Sequence, residues 1–105
     1  MVMELTAENF NETVENNLCV VDFWAPWCAP CKMMVPVFEE LDAEFDKVTF
    51  CKLNVEDHKP PAEKNGVMSI PTLIMFNMGA EVGRITGYYP KEKLKEEIES
   101  LLEKV

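Results

Sequence analysis

The sequence predicts an α/β domain with a central mixed β-sheet of about five strands flanked by about four helices. Three observations carry that reading. Residues 18–24, Leu-Cys-Val-Val-Asp-Phe-Trp, form a β-branched and aromatic run of buried-strand length. Immediately after it, Met34, Val37, Phe38, Leu41 and Phe45 recur at helical spacing and mark one buried helix face. A second strand-like run over residues 48–55 completes a strand–helix–strand unit, and the remainder reads as a hairpin followed by a helix.

Taken in order, Val2-Met3-Glu4-Leu5 is a short edge strand. Thr6 is placed to cap the first helix, with Leu5 and Phe10 at staple spacing, Val14 continuing the apolar face and Asn16-Asn17 closing it. After strand 18–24, the main helix runs from about Pro30 to Phe45; Pro36 inside it removes one backbone hydrogen bond and bends it. Asp57-His58-Lys59-Pro60-Pro61 turns the chain into a short helix ending at Asn65-Gly66. Residues 72–76 form a strand that turns near Met78-Gly79-Ala80 into a second hairpin arm over residues 81–86. Gly87 breaks that arm, Pro90 opens the last helix, and Leu94, Ile98, Leu101 and Leu102 form its inner face.

The chain of 105 residues reads as one domain over its whole length, 1–105, without repeats, linkers or low-complexity segments. Its formal net charge of −9 argues against nucleic acid and anionic membrane surfaces as partners and serves solubility. The first residues contain neither a basic segment nor an apolar stretch of signal-peptide length, so the expected location is cytoplasmic. Of four cysteines, Cys19 and Cys51 fall inside strand-like runs and read as small buried hydrophobes. They have no neighbours at metal-ligand spacing, so no metal is expected. His58, the single histidine, sits in a turn and reads as surface, which leaves no support for a Cys–His nucleophile pair.

The remaining cysteines carry the chemistry. Cys28 and Cys31 are separated by Ala29 and Pro30 and lie where the strand gives way to the main helix. Free backbone N–H groups and the positive end of the helix dipole face the first cysteine and favour its thiolate, which is the reactive form. Cys31 lies about one helical turn further in, less exposed and near enough to close a short disulfide. This arrangement suits thiol–disulfide exchange: Cys28 attacks a target disulfide, and Cys31 resolves the mixed disulfide.

An ordered set of residues resembles the thioredoxin family over nearly the whole chain. It comprises Asp22-Phe23-Trp24-Ala25, Trp27-Cys28-Ala29-Pro30-Cys31-Lys32, Pro36, Lys52-Leu53-Asn54-Val55, Ser69-Ile70-Pro71-Thr72-Leu73, Gly79 and Gly87. The resemblance implies a thioredoxin fold and a protein-disulfide reductase that is itself re-reduced by a thioredoxin reductase, either a flavoprotein or a ferredoxin-dependent enzyme. It implies disulfide-bearing proteins as targets, no cofactor, and a monomer. It implies that Asp22 sits behind Cys31 and shuttles its proton, with Lys52 tempering the carboxylate from the next strand. It also implies a cis Ile70–Pro71 bond facing the cysteines, leaving the Ile70 backbone free for an extended substrate segment. Trp27, Ala29, Pro30, Ile70 and Pro71 then form the substrate-binding set.

Other residues qualify the picture. An ionised carboxylate is costly to bury in an apolar strand, so Asp22 either reaches solvent or has a role; burial would raise its pKa toward neutrality. Trp27 reads as a partly exposed docking surface and Trp24 as core beneath the site. Met33, Met68 and Ile70 add a flexible apolar rim, with Met34 assigned to the core. Ala29 stands where the family usually has glycine; alanine is the better helix former by about 1 kcal/mol, equivalent to a shift of roughly 20 mV in redox potential. Two other readings compete: a disulfide oxidase or isomerase, and a non-catalytic binding module. Asp22 with Lys52 and the absent secretory pattern favour a reductant over the first, and an intact cysteine pair beside Trp27 and Pro71 speaks against the second.

Overall fold

The computed structural model describes residues 1–105 and orders five strands into one mixed sheet, β1-β3-β2-β4-β5. The strands are β1 (Met3–Leu5), β2 (Leu18–Trp24), β3 (Thr49–Asn54), β4 (Thr72–Asn77) and β5 (Ala80–Thr86). β3 runs parallel to both β1 and β2, while β4 and β5 are antiparallel neighbours beyond β2. Four helices cover the sheet: α1 (Phe10–Glu15), α2 (Ala29–Asp42), α3 (Lys59–Lys64) and α4 (Lys91–Leu102). This is the expected five-stranded, four-helix α/β architecture.

β2 is buried on both faces, which is why its sequence is apolar almost throughout rather than alternating. Cys19, Val21 and Phe23 point toward the α1 and α3 side, where they join Phe10, Val14 and Ala62. Phe10 anchors that side, its ring 6.0 Å from those of both Phe23 and Phe76. Val20 faces the opposite cluster, in which Met34, Phe38 and Leu41 of α2 meet Leu94, Ile98 and Leu101 of α4. By the two-residue period of a strand, Asp22 and Trp24 share this α2 face. Lys91 spans from α4 to Glu40 of α2 and to Glu44 just beyond it, at 3.3 and 2.8 Å, and Lys95 reaches Glu44 at 3.0 Å. At the surface such pairs add only a fraction of a kcal/mol each, so the apolar seam does most of the holding.

Element ends differ from expectation for local reasons. α1 begins at Phe10 rather than beside Thr6, because residues 7–9 form a turn. Thr6 still caps that turn: its Oγ1 accepts from the Asn9 N–H at 3.2 Å, and Asn9 Oδ1 accepts from the Thr6 N–H at 2.7 Å. This is a reciprocal capping box with asparagine in the second position. α2 stops at Asp42, short of Phe45; the Glu44 N–H reaches back three residues to the Leu41 carbonyl, and Phe45 leaves the helix to stack on Phe50 at 6.0 Å. β3 ends at Asn54, whose side chain accepts from the Glu56 N–H at 3.0 Å and turns the chain. His58 is not simply surface, since its Nδ1 accepts from the Ala7 N–H at 3.1 Å and ties α3 to the start of the chain. No helix is long and apolar enough to cross a membrane.

Candidate active site

Cys28 and Cys31 are joined as a disulfide at the start of α2, with their Cα atoms 5.2 Å apart. The backbone explains how they meet. Trp24 ends β2, Ala25 is fully enclosed, and the Cys28 N–H donates to the Ala25 carbonyl at 3.2 Å, closing a tight turn. Cys28 then takes an extended conformation (φ −92°, ψ 110°) as the N-cap residue of α2, with Pro30 in the first turn. In that position Cys28 Sγ accepts from the Cys31 N–H at 3.3 Å. The sulfur therefore occupies the place a Ser, Thr or Asp oxygen takes at other helix starts.

Burial separates the two sulfurs as expected: Cys28 keeps 6% of its surface open and Cys31 none. Ala29 and Pro30 between them are exposed. Opposite, the Ile70–Pro71 bond is cis, and the Ile70 carbonyl oxygen lies 3.8 Å from Cys28 Sγ. Two hydrogen bonds hold that loop: Thr72 Oγ1 donates to the Ser69 carbonyl at 2.6 Å, and the Gly87 N–H donates to the Pro71 carbonyl at 2.8 Å. Pro71 is buried, Ile70 half-buried, and Trp27 exposed over 67% of its surface. Trp27 and Ile70 line a groove of about 230 Å³ with Val55, Ala62, Val67, Met68 and Ser69. Val55, Ala62 and Val67 were absent from the sequence-based set. Val55 follows β3, Ala62 lies in α3 and Val67 follows α3, and only the fold gathers them beside Trp27.

Within β2, Asp22 is 3% exposed and its Oδ1 is sealed without a hydrogen-bond partner. Burial raises its pKa to about 7, against the opposing pull of Lys52. Asp22 and Lys52 are paired in the β2–β3 register, so both project on the α2 face. Lys52 acts through space rather than through a hydrogen bond, because its ammonium lies 5.5 Å over the Trp24 ring. That contact corrects the expectation for Trp24: it is half-buried beneath a cation, packed against Ala25, Cys28 and Cys31, rather than enclosed in the core.

Met34 is fully enclosed and Met33 exposed, the division expected from helical phase. Cys19 and Cys51 are free, fully enclosed thiols in one cluster. Their mutual hydrogen bond, with burial second, pushes the Cys51 thiol up, so it is unreactive. No set of three His, Cys, Asp or Glu side chains converges as a metal-binding group.

Comparison with known proteins gives one answer. The thioredoxin family model matches residues 1–100. The chain is 50% identical over 94 residues to a thioredoxin of Chlamydia caviae, covering 90% of this chain and 92% of the relative. It is 45% identical over 102 residues to a thioredoxin of Staphylococcus saprophyticus and 47% identical over 103 residues to one of Alicyclobacillus acidocaldarius. Each of those alignments covers 96% of this chain and 98% of the relative.

Proposed function

The chain belongs to the thioredoxin family, a protein-disulfide oxidoreductase exchanging thiols and disulfides through Cys28 and Cys31, and from that membership we propose a direction and a role for each site residue. The protein is a reductant of protein disulfides. Cys28 is the nucleophile: its thiolate attacks one sulfur of a target disulfide, forms a mixed disulfide, and releases the other target sulfur as a thiolate. Cys31 is the resolving thiol; it loses its proton, attacks Cys28 Sγ, closes the Cys28–Cys31 bond and frees the second target thiolate. Asp22 takes the Cys31 proton, and Lys52 keeps the carboxylate ionisable near neutral pH.

Trp27, Ala29, Pro30, Ile70 and Pro71 hold the target. The apolar groove takes its side chains, and the Ile70 backbone pairs with an extended target strand beside the sulfurs. A thioredoxin reductase, either flavoprotein or ferredoxin-dependent, returns the pair to the dithiol. The protein works as a single domain, 1–105, a monomer in the cytoplasm.

The observation that carries this reading is the Cys31 N–H donating to Cys28 Sγ at a helix start, where a backbone donor and the helix dipole favour negative charge on sulfur. Equilibration of the Cys28–Cys31 pair with glutathione, with dithiothreitol as second reference, tests it. A potential at or below the cytosolic glutathione poise is the expected result for a reductant. A potential well above it would make the oxidase or isomerase reading the correct one.

A further inference from the structure

Met68 is the most open of the large apolar side chains around the cysteine pair, with 95% of its surface exposed against 67% for Trp27 and 55% for Met33. It stands two residues before the cis Ile70–Pro71 bond and lines the groove with Trp27, Val67 and Ile70. Packing does not account for it: Met34 and Met75 are fully enclosed, whereas Met68 gains almost nothing from burial. Chemistry distinguishes the position. In the disulfide form Cys28 and Cys31 are already oxidised, and Cys19 and Cys51 are sealed in the core. The Met68 thioether is then the one open, oxidisable sulfur lining the groove. Met1 and Met3 lie at the β1 end of the chain, and Met78 lies in the β4–β5 turn at the far end of β4. Met33 projects from the outer side of α2 and does not line the groove.

We propose that Met68 is a modification site, at which a peroxide converts the thioether to the sulfoxide and thereby weakens docking of protein targets while leaving exchange at the cysteines intact. The proposal rests on the groove being the target-docking surface. In the reaction the peroxide O–O bond breaks and one oxygen becomes bonded to Met68 Sδ. The sulfur is oxidised by two electrons, and the peroxide is reduced to water, or to an alcohol for an organic hydroperoxide. The product is polar where the thioether was apolar and deformable. A target side chain laid over it would strip water from the new S–O dipole and give no hydrogen bond in return. A small disulfide reagent needs no groove and would not register the change. The site thus makes reduction of proteins, and not the redox chemistry itself, sensitive to peroxide.

The full chain in its disulfide form is treated with hydrogen peroxide, desalted, and mapped by peptide mass spectrometry. It is then assayed on insulin with dithiothreitol as electron source and, after reduction and removal of the dithiothreitol, in a single turnover on 5,5′-dithiobis(2-nitrobenzoate) with the reduced protein as the only electron donor. Met68 is expected to gain one oxygen well before Met34 or Met75. The insulin rate should fall roughly fivefold or more, the equivalent of about 1 kcal/mol, while the small-disulfide rate stays within about twofold. A methionine sulfoxide reductase should restore the insulin rate. Met68→Leu, treated in parallel, should show the same insulin rate before and after peroxide, whatever its starting value. An equal peroxide-induced loss in Met68→Leu, or an unchanged insulin rate in fully Met68-oxidised protein, would overturn the proposal. Trp27→Ala separates the two readings: if it reduces insulin as fast as the unaltered chain, the docking surface itself is misplaced. If it is slowed while Met68 oxidation has no effect, only the modification site falls.

Discussion

Asp22 concentrates the residue-scale physics. Its carboxyl has a folded-state pKa of about 7 against an ordinary value of 3.8, so between those values the folded chain holds a proton that the unfolded chain has released. Stability therefore falls as pH rises from about 4 to 7, by up to about 4 kcal/mol if the whole shift is expressed. Asp22→Asn removes the titration. Its stability advantage over the unaltered chain should grow through that window and be smallest near pH 4, as read by denaturant unfolding at several pH values. The same substitution should slow resolution of the mixed disulfide roughly tenfold or more near neutral pH, since it deletes the proposed proton acceptor. Equal resolving rates in stopped-flow measurements would remove Asp22 from the mechanism. Cys28→Ser should abolish exchange altogether, whereas Cys31→Ser should accumulate protein adducts visible on non-reducing gels. Both cysteines, and the anomaly of a carboxylate inside an apolar strand, were legible from residue types alone. The half-burial of Trp24 was not, because it depends on a lysine that only strand pairing brings over its ring.

At the scale of elements, the β4–β5 hairpin offers the sharpest check on local backbone chemistry. Asn77 pairs with Ala80, leaving a two-residue turn of Met78 and Gly79, both at positive φ (50° and 94°). That is the I′ pattern, which asparagine and glycine adopt readily and a long side chain does not. Met78→Asn should therefore raise stability by about 0.5–1 kcal/mol, seen as a higher denaturation midpoint with an unchanged slope. Every strand and helix was legible as an element, most from an apolar period or run and α3 from Pro60-Pro61 and Asn65-Gly66 at its ends. Their ends were less so. The helical spacing of Phe45 fitted α2, yet stacking on Phe50 from a neighbouring strand won. Thr6 was recognisable as a cap, but the turn it caps precedes the helix proper. Local contacts that compete with helical continuation, Thr6 with Asn9 and Phe45 with Phe50, decided both cases.

For the molecule as a whole, charge and topology set the terms of encounter with other proteins. A net charge of −9 gives the chain a field felt over about a Debye length, about 8 Å at physiological salt. Target proteins carrying positive charge around their disulfides should be reduced faster than acidic ones at low ionic strength. The two rates should converge as salt is raised, and a salt-independent ratio would remove long-range steering from the account. Topology was the least legible layer. That β1 pairs with β3 rather than with β2, and that β4 reverses against β2, depends on contacts distant in sequence. The same holds for the groove wall: Val55, Ala62 and Val67 look like ordinary core residues until the loop before β4 is folded against them.

The hydrogen bond from the Cys31 amide to Cys28 Sγ has a consequence for how such a chain can change over time. The donor belongs to the main chain, so no substitution at positions 29, 32 or 33 that preserves the helix can delete it, and at position 31 itself only an imino acid would. Reactivity at Cys28 is thereby insulated from drift in the residues around it. Those neighbours, Ala29 among them, are left free to vary with the identity of whatever docks there.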